Sequence, residues 1–421
     1  MTDPITLIAE WLRGVFASWG LVPGAVNVIM ALIGVVVVST FVLLLDILLV
    51  WVERKVVARF QDRLGPNRLG PYGLIQPIAD VIKLLIKEDI TPQGADRFLY
   101  NISPIIALAT VLLIWAVIPF APQLVGSELN VGILFIVAVG AISTLGIIIA
   151  GWASNNKYAL LGAFRTVAQM VSYEVPMVIG LLVPVILARS MGINTIVDQQ
   201  GIWYILVAPL AALIFLVSSI AELGRAPFDL AEAESEIVAG FHIEYTGMKF
   251  GMFYAGELLH ALTIGALFSS LFLGGWRGPF VDQVPILGVV YLFIKSFFIY
   301  WVIMWVKYSL PRIRIDHMLA FNWKFLTPLA LVILIVTAIL HKLFEGATPL
   351  VYTAVMLLAN LIVGWITLKI IRSQGRTQRQ RVGEPRPMAV PPMTVMVVNS
   401  PLKPAEKPVT ASNKPSISTT A

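Results

Sequence analysis

Long apolar runs separated by shorter polar connections dominate this chain. Runs long enough to cross a bilayer cover residues 25–51, 104–124, 131–152, 160–188, 203–221, 250–273, 286–306, 326–344 and 349–370. About 20 residues at 1.5 Å rise cross a ~30 Å hydrocarbon core. The runs are continuous rather than alternating, which argues against barrel strands. The pattern predicts an all-α polytopic membrane protein of about nine transmembrane helices.

The connections add two elements. After the first run, Trp51 to Pro92 is polar, basic and punctuated by Gly65-Pro66-Asn67, Gly70-Pro71 and Gly73, so its path is stiff and turn-rich. Pro77 suits a helix start. From there Ile75, Ile78, Ile82 and Leu85 fall on one helical face and Asp80, Lys83 and Lys87 on the other. The segment is too short and too charged to span, and predicts an amphipathic helix in the membrane interface. It suits an ordinary lipid-surface helix, or the frame of an opening from lipid into the protein. At the other end, residues 373–421 carry Pro385, Pro387, Pro391, Pro392, Pro401, Pro404, Pro408 and Pro415 among Ser, Thr and Lys. That composition predicts a basic flexible tail, with Met393 to Val398 as a short apolar patch.

Composition agrees with the pattern. The 421 residues are 58% apolar and 13% charged, against roughly 25% charged in soluble domains. Too few charges remain to cover a soluble surface, which argues against most cytosolic enzymes and nucleic-acid binders. The net charge of +6 is explained by topology. Counted over alternate connections, 21 Lys and Arg fall on one side and four (Arg13, Arg189, Arg277 and Lys342) on the other. Positive residues stay in the cytoplasm, which predicts the N-terminus outside and the C-terminus cytoplasmic. The long first run starts late and lacks a basic leader, so no cleavable signal peptide is expected. There is no cysteine, hence no disulfide, thiolate zinc site, iron–sulfur ligand or covalent c-type haem on this chain. Of four histidines only His260 is expected to be membrane-embedded, and no phosphate-binding glycine motif is present.

Three features carry candidate chemistry. Ala221 to Gly247 holds Glu222, Asp229, Glu232, Glu234, Glu236 and Glu244, with only Arg225 to offset them. Partly buried, such carboxyls raise one another's pKa and suit proton relay; the same run also suits a solvated loop or a docking surface. Glu174 and Glu257 lie inside apolar runs, where a charge costs about 2.5–3.5 kcal/mol on insertion scales and marks ion or proton pathways by default. Asp46 and Lys295 also lie inside runs, either snorkelling or forming a structural pair. Trp51, Trp152 and Trp276 near run ends read as interfacial anchors, and Gly247 with Gly251 as a helix-packing pair.

Two stretches together resemble a known family. Glu53-Arg54-Lys55, Gly65-Pro66-Asn67-Arg68-Leu69-Gly70-Pro71-Tyr72-Gly73, Gln76-Pro77-Ile78-Ala79-Asp80 and Lys87-Glu88-Asp89 resemble the first cytoplasmic loop of the bacterial H-type subunit of proton-translocating NADH:quinone oxidoreductase, the counterpart of subunit 1 in mitochondrial respiratory complex I. Glu222-Leu223-Gly224-Arg225-Ala226-Pro227-Phe228-Asp229 through Glu244-Tyr245 resembles that family's second signature. The likeness covers about residues 20–345. It implies a membrane core over 1–345 with eight spans; the additional ninth helix over 346–372 and the tail from 373, read from the apolar pattern and composition, lie beyond the likeness. The family has an aromatic where Ile315 stands.

The resemblance implies a membrane subunit that, with peripheral-arm subunits, walls a quinone chamber. Arg54, Phe60, Arg63 and Arg225 would line or border it, Arg225 also ordering the acidic loop and facing a partner subunit. Glu53 and Asp80 would start a charge relay that Glu174, Glu222, Asp229, Glu232, Glu234, Glu236, Glu244 and Glu257 carry toward antiporter-like subunits. Quinone is then the substrate, while FMN and iron–sulfur clusters belong to partner subunits. The expected place is the bacterial inner (cytoplasmic) membrane, multi-pass and in contact with lipid, with no nucleic acid, no metal site and no independent activity. A membrane subunit of an energy-converting hydrogenase-type complex, a stand-alone secondary ion transporter and a purely structural anchor are competing readings.

Overall fold

A computed structural model describes residues 4–230, 237–281, 283–346 and 348–383. Among them there is no β-strand; Ala121 and Leu124 form one isolated bridge. The helices, in chain order, are α1 (Pro4–Ser18), α2 (Pro23–Phe60), α3 (Gln76–Ile86), α4 (Arg97–Trp115), α5 (Gly132–Ala153), α6 (Lys157–Ala188) and α7 (Ile193–Gln199). There follow α8 (Tyr204–Val207), α9 (Pro209–Glu222), α10 (Gly247–Phe272), α11 (Ile286–Ser309), α12 (Ile315–Phe321), α13 (Thr327–Leu343) and α14 (Pro349–Gly383). A π turn, Asn322–Leu326, joins α12 to α13 in one rod. Eight of these helices are long and apolar enough to cross a membrane.

The fifth expected span, over 203–221, is broken. Pro209 has no N–H to continue a helix from α8, and its fixed φ suits a first helical position, so α9 starts afresh there. At about 21 Å, α9 alone is shorter than the ~30 Å core. Other boundaries moved for local reasons. α4 begins at Arg97 rather than 104, because Asp96 caps it by accepting from the N–H groups of Phe98 and Leu99. It ends at Trp115, ahead of Pro119. α2 does not stop at Trp51: at 38 residues it is about 57 Å long and carries Glu53, Arg54 and Phe60 beyond the apolar run as continuous helix. α14 runs to Gly383, past the expected end at 370. The tail beyond it, with the Met393–Val398 patch, lies outside the described residues.

The core is built around α10, the most buried of the long helices, whereas α2 and α14 are the least buried. Small residues permit that centrality. A Cβ on Gly265 would come 2.7 Å from the Ser296 carbonyl oxygen of α11, so only glycine allows this approach. Hydroxyls in the core donate to carbonyls of their own helix, as Thr263 does to Leu259 and Ser269 to Gly265. Trp115 of α4 donates to Thr263 at 2.7 Å. The expected amphipathic helix is present. α3 lies against α10 and leaves Ile75, Ile78, Ile82 and Leu85 exposed in a row. The expected packing pair explains the fit: a Cβ on Gly251 would meet Leu84 Cδ1 at 3.0 Å, and Gly247, at φ +58°, lies against the Leu84 and Lys87 carbonyls.

Candidate functional site

The site is assembled around Arg225. The turn that carries it is tied down on two sides. Gln169 Nε2 of α6 donates to the carbonyls of Ala221 and Phe228, both at 2.6 Å. The Ile313 N–H donates to the Pro227 carbonyl at 2.9 Å. Held this way, the guanidinium enters the gap between α2 and α10. Nε donates to Glu257 at 2.9 Å, and Nη1 stands 3.6 Å from Glu53. Arg225 is 2% exposed, so it points into the chain rather than toward a partner surface. Burial works against its charge, but Glu257 and Glu53 outweigh burial and raise its pKa above the ordinary guanidinium value.

Glu53 has further partners. Its Oε1 accepts from Lys307 Nζ at 2.8 Å and from Tyr308 Oη at 2.6 Å, both at the end of α11. Phe60, one side of its ring open, lies against Tyr308 with centroids 6.0 Å apart. Two turns back on α2, Asp46 is also buried on the same helical face, and its Oδ1 has no hydrogen-bond partner among the described residues. On the outer side of α2, Arg54 pairs with Asp80 of α3 at 2.5 Å, with Lys83 3.8 Å from the same carboxylate.

From Glu257 the polar row continues through two cavities. The first, about 100 Å³, is bordered by Glu257, His242, Tyr254, His260 and Glu222. The second, about 30 Å³ and farther along α10, is bordered by Glu222, His260, Ser219 and Glu174. Both exceed the ~10–15 Å³ that one water needs. Glu222 and His260 face both spaces. Burial pushes the His242 imidazole below its ordinary pKa, and the nearby Glu257 carboxylate opposes this.

The remaining expected residues stand apart. Glu244 accepts from Asn156 Nδ2 at 2.6 Å, where Asn156 caps α6 through its side-chain oxygen. Its main-chain carbonyl accepts from Tyr100 at 2.7 Å, beside a Tyr100–Tyr245 stack with centroids 4.2 Å apart. This is a structural knot away from Arg225. Arg63 is exposed just past the end of α2. Asp229 is half-buried in the Arg225 turn. Glu232, Glu234 and Glu236 lie outside the described residues. Lys295 is structural: its ammonium donates to the carbonyls of Leu273, Gly275 and Arg277, each at 2.8 Å. Sequence reading missed Lys307 and Tyr308, which sit where basic and aromatic residues are ordinary at the end of a span. His260 had a usable signal, its place three residues after Glu257 on one face of α10.

Residues 32–338 match the family described as NADH dehydrogenase. The chain is 47% identical over 333 residues to the H-type NADH-quinone oxidoreductase subunit of Dehalococcoides mccartyi (strain CBDB1), covering 79% of this chain and 92% of that one. It is 45% identical over 325 residues to an H-type subunit of Geobacter metallireducens, covering 75% and 97%. It is 40% identical over 355 residues to the H-type subunit of Phocaeicola vulgatus, covering 80% and 98%. With its apolar helices, its ion-paired Glu53–Arg225–Glu257 centre and these relatives, the chain belongs to the family of H-type NADH-quinone oxidoreductase subunits, membrane components of respiratory complex I.

Proposed function

We propose that this chain walls part of the quinone chamber and carries the acidic relay that couples quinone reduction to proton translocation. One observation supports this most: charged groups on α2, α3, the Arg225 turn, α10, α9 and α6 form a single row. It runs from Arg54–Asp80 through Glu53, Arg225 and Glu257, then across two water-sized cavities past Glu222 to Glu174. Arg54 and the open side of Phe60 sit at the outer end of that row, where a quinone head would meet it, and Arg63 borders the approach.

Reduction of a quinone to quinol takes two electrons and two protons. The chain has no cysteine, so the electrons come from FMN and iron–sulfur clusters held by peripheral-arm subunits. This chain's share is charge. Proton uptake at the quinone changes the field at Glu53 and Arg225. Coupled carboxyls redistribute their protons in response, which biases a two-state element and is passed on to antiporter-like membrane subunits. The protein would sit in the bacterial inner membrane with its basic connections in the cytoplasm.

The test is Glu174→Gln and Glu257→Gln in the assembled complex in proteoliposomes. Each variant is expected to lower NADH-driven quinone reduction and proton pumping together by at least about tenfold, a conservative floor below the ~100- to 10,000-fold typical for a positioned proton-transferring group. Wild-type rates of both in both variants would sink the relay.

A further inference from the structure

His260 has no part in the ion pairs just described, yet it stands at the junction of the polar row. It is the histidine that borders both cavities, and Glu222 is the carboxylate that does so with it. Glu257 is on the first side of the pair, Glu174 on the second. Among the described residues, none is hydrogen bonded to the imidazole. The rest of the second cavity's wall is mostly apolar, with Phe215, Met177 and Leu181 among it. Water in such a space needs two to four polar partners to be held in place. A neutral imidazole offers one N–H donor and one acceptor nitrogen on opposite sides of a rigid ring.

We infer that His260 is a positioning residue of the relay, whose ring bridges the water of the two cavities and so joins the Glu257 end to the Glu174 end. The inference rests on the relay reading above. It accounts for the place of His260 on both cavity walls: one nitrogen would donate into one space while the other would accept from the second. It also assigns the cavities a chemical class of occupant, hydrogen-bonded water.

Substitutions separate this role from packing. His260→Leu keeps much of the volume and removes both polar atoms; His260→Gln keeps one donor and one acceptor. In the assembled complex in proteoliposomes, His260→Leu is expected to lower coupled quinone reduction and pumping at least about tenfold. His260→Gln is expected to recover most of that loss. Gly140→Val is an independent probe of the second cavity. A Cβ at Gly140 has Glu222 Oε1 as its near neighbour outside its own helix, at 3.9 Å, so a side chain there starts beside Glu222 on the wall of the second cavity. It is expected to act like His260→Leu in complexes of normal abundance on native gels. Wild-type pumping by His260→Leu overturns the inference, and so does a His260→Gln variant as impaired as the leucine. If Glu174→Gln and Glu257→Gln abolish pumping while His260→Leu does not, the bridge falls and the relay stands. If none of them changes pumping, the relay itself falls.

Discussion

A buried arginine between two carboxylates is costly to build and costlier to break. Desolvation of Arg225 is offset only because Glu257 and Glu53 both reach it. Removing one member strands the others: truncating one partner of a buried pair typically costs about 3–5 kcal/mol. Arg225→Met is therefore expected to lower the thermal denaturation midpoint of the purified complex. Arg225→Met combined with Glu257→Gln should lose less than the single change, because the stranded carboxylate is gone. A double-mutant cycle on the midpoints checks this, and additive losses would refute the coupling. Arg225→Lys keeps the charge but lacks the fork that addresses two acids at once, so it falls between the two. His242 makes a pH prediction. Its folded pKa lies below the free imidazole value near 6.5 because burial disfavours the proton. Above that value both states are neutral and pH has no effect through this group. As pH falls through it, the unfolded chain takes up the proton first, so stability declines until the folded pKa is passed. His242→Phe fits an aromatic setting of Phe241 and Phe250. It should show a smaller drop in midpoint than wild type between about pH 7.5 and 5.5, either side of that free value; an equal drop would exclude His242 as the source. Glu174 and Glu257 were legible from sequence because a charge in an apolar run is conspicuous. Lys307 and Tyr308 were not, because what distinguishes them is contact with Glu53, more than 250 positions away.

Helices were legible where the hydrophobic pattern is long and unambiguous, and less so at their ends. Runs of apolar residues report what is buried in lipid or core, and they are silent on a helix that continues into water, as α2 does to Phe60. They are also silent on capping, which moved α4 to Arg97, and on a proline that splits one run into α8 and α9. The amphipathic α3 was predictable because its two faces differ in the expected period. Its seat on α10 was foreshadowed only by the small pair Gly247 and Gly251. That seat holds Asp80 where Arg54 reaches it. Gly251→Leu drives a large side chain against Leu84, which a Cβ already meets at 3.0 Å, and is expected to lift α3 away from α10. The KM for quinone should then rise by about tenfold or more with the complex assembled, as loss of a positioned binding wall removes uniform binding energy. An unchanged KM would show that α3 does not frame the quinone's path.

At the scale of the molecule, the ends of the helices decide whether the short fifth segment crosses. On one face, Glu53 of α2 meets Lys307 of α11, Asn156 before α6 meets Glu244 before α10, and Gly247 lies on Lys87. On the opposite face, Arg189 after α6 pairs with Glu345 after α13, and Arg277 after α10 donates to the carbonyls of Asp198 and Gln200 before α8. The chain therefore leaves α6 on one face and enters α10 from the other. Between them α8, the break at Ala208 and α9 link the two faces, so we propose that among the described residues the eight long helices and this interrupted segment make nine crossings. The loss of backbone hydrogen bonds at the break is tolerable because it is buried against protein: Asn360 of α14 donates to the Val207 carbonyl at 3.3 Å. The basic residues cluster on the face that holds Glu53 and Lys87, and on the positive-inside rule we propose that this face is the cytoplasmic one. The absence of native cysteine allows a direct check with single-cysteine variants and a membrane-impermeant maleimide. Gln199→Cys and Glu128→Cys should react from outside intact cells, whereas Met248→Cys and His317→Cys should react only in inverted vesicles. If Gln199→Cys and Met248→Cys reacted from the same side, the fifth segment would not cross, and the row from Glu53 to Glu174 would need a different path through the membrane.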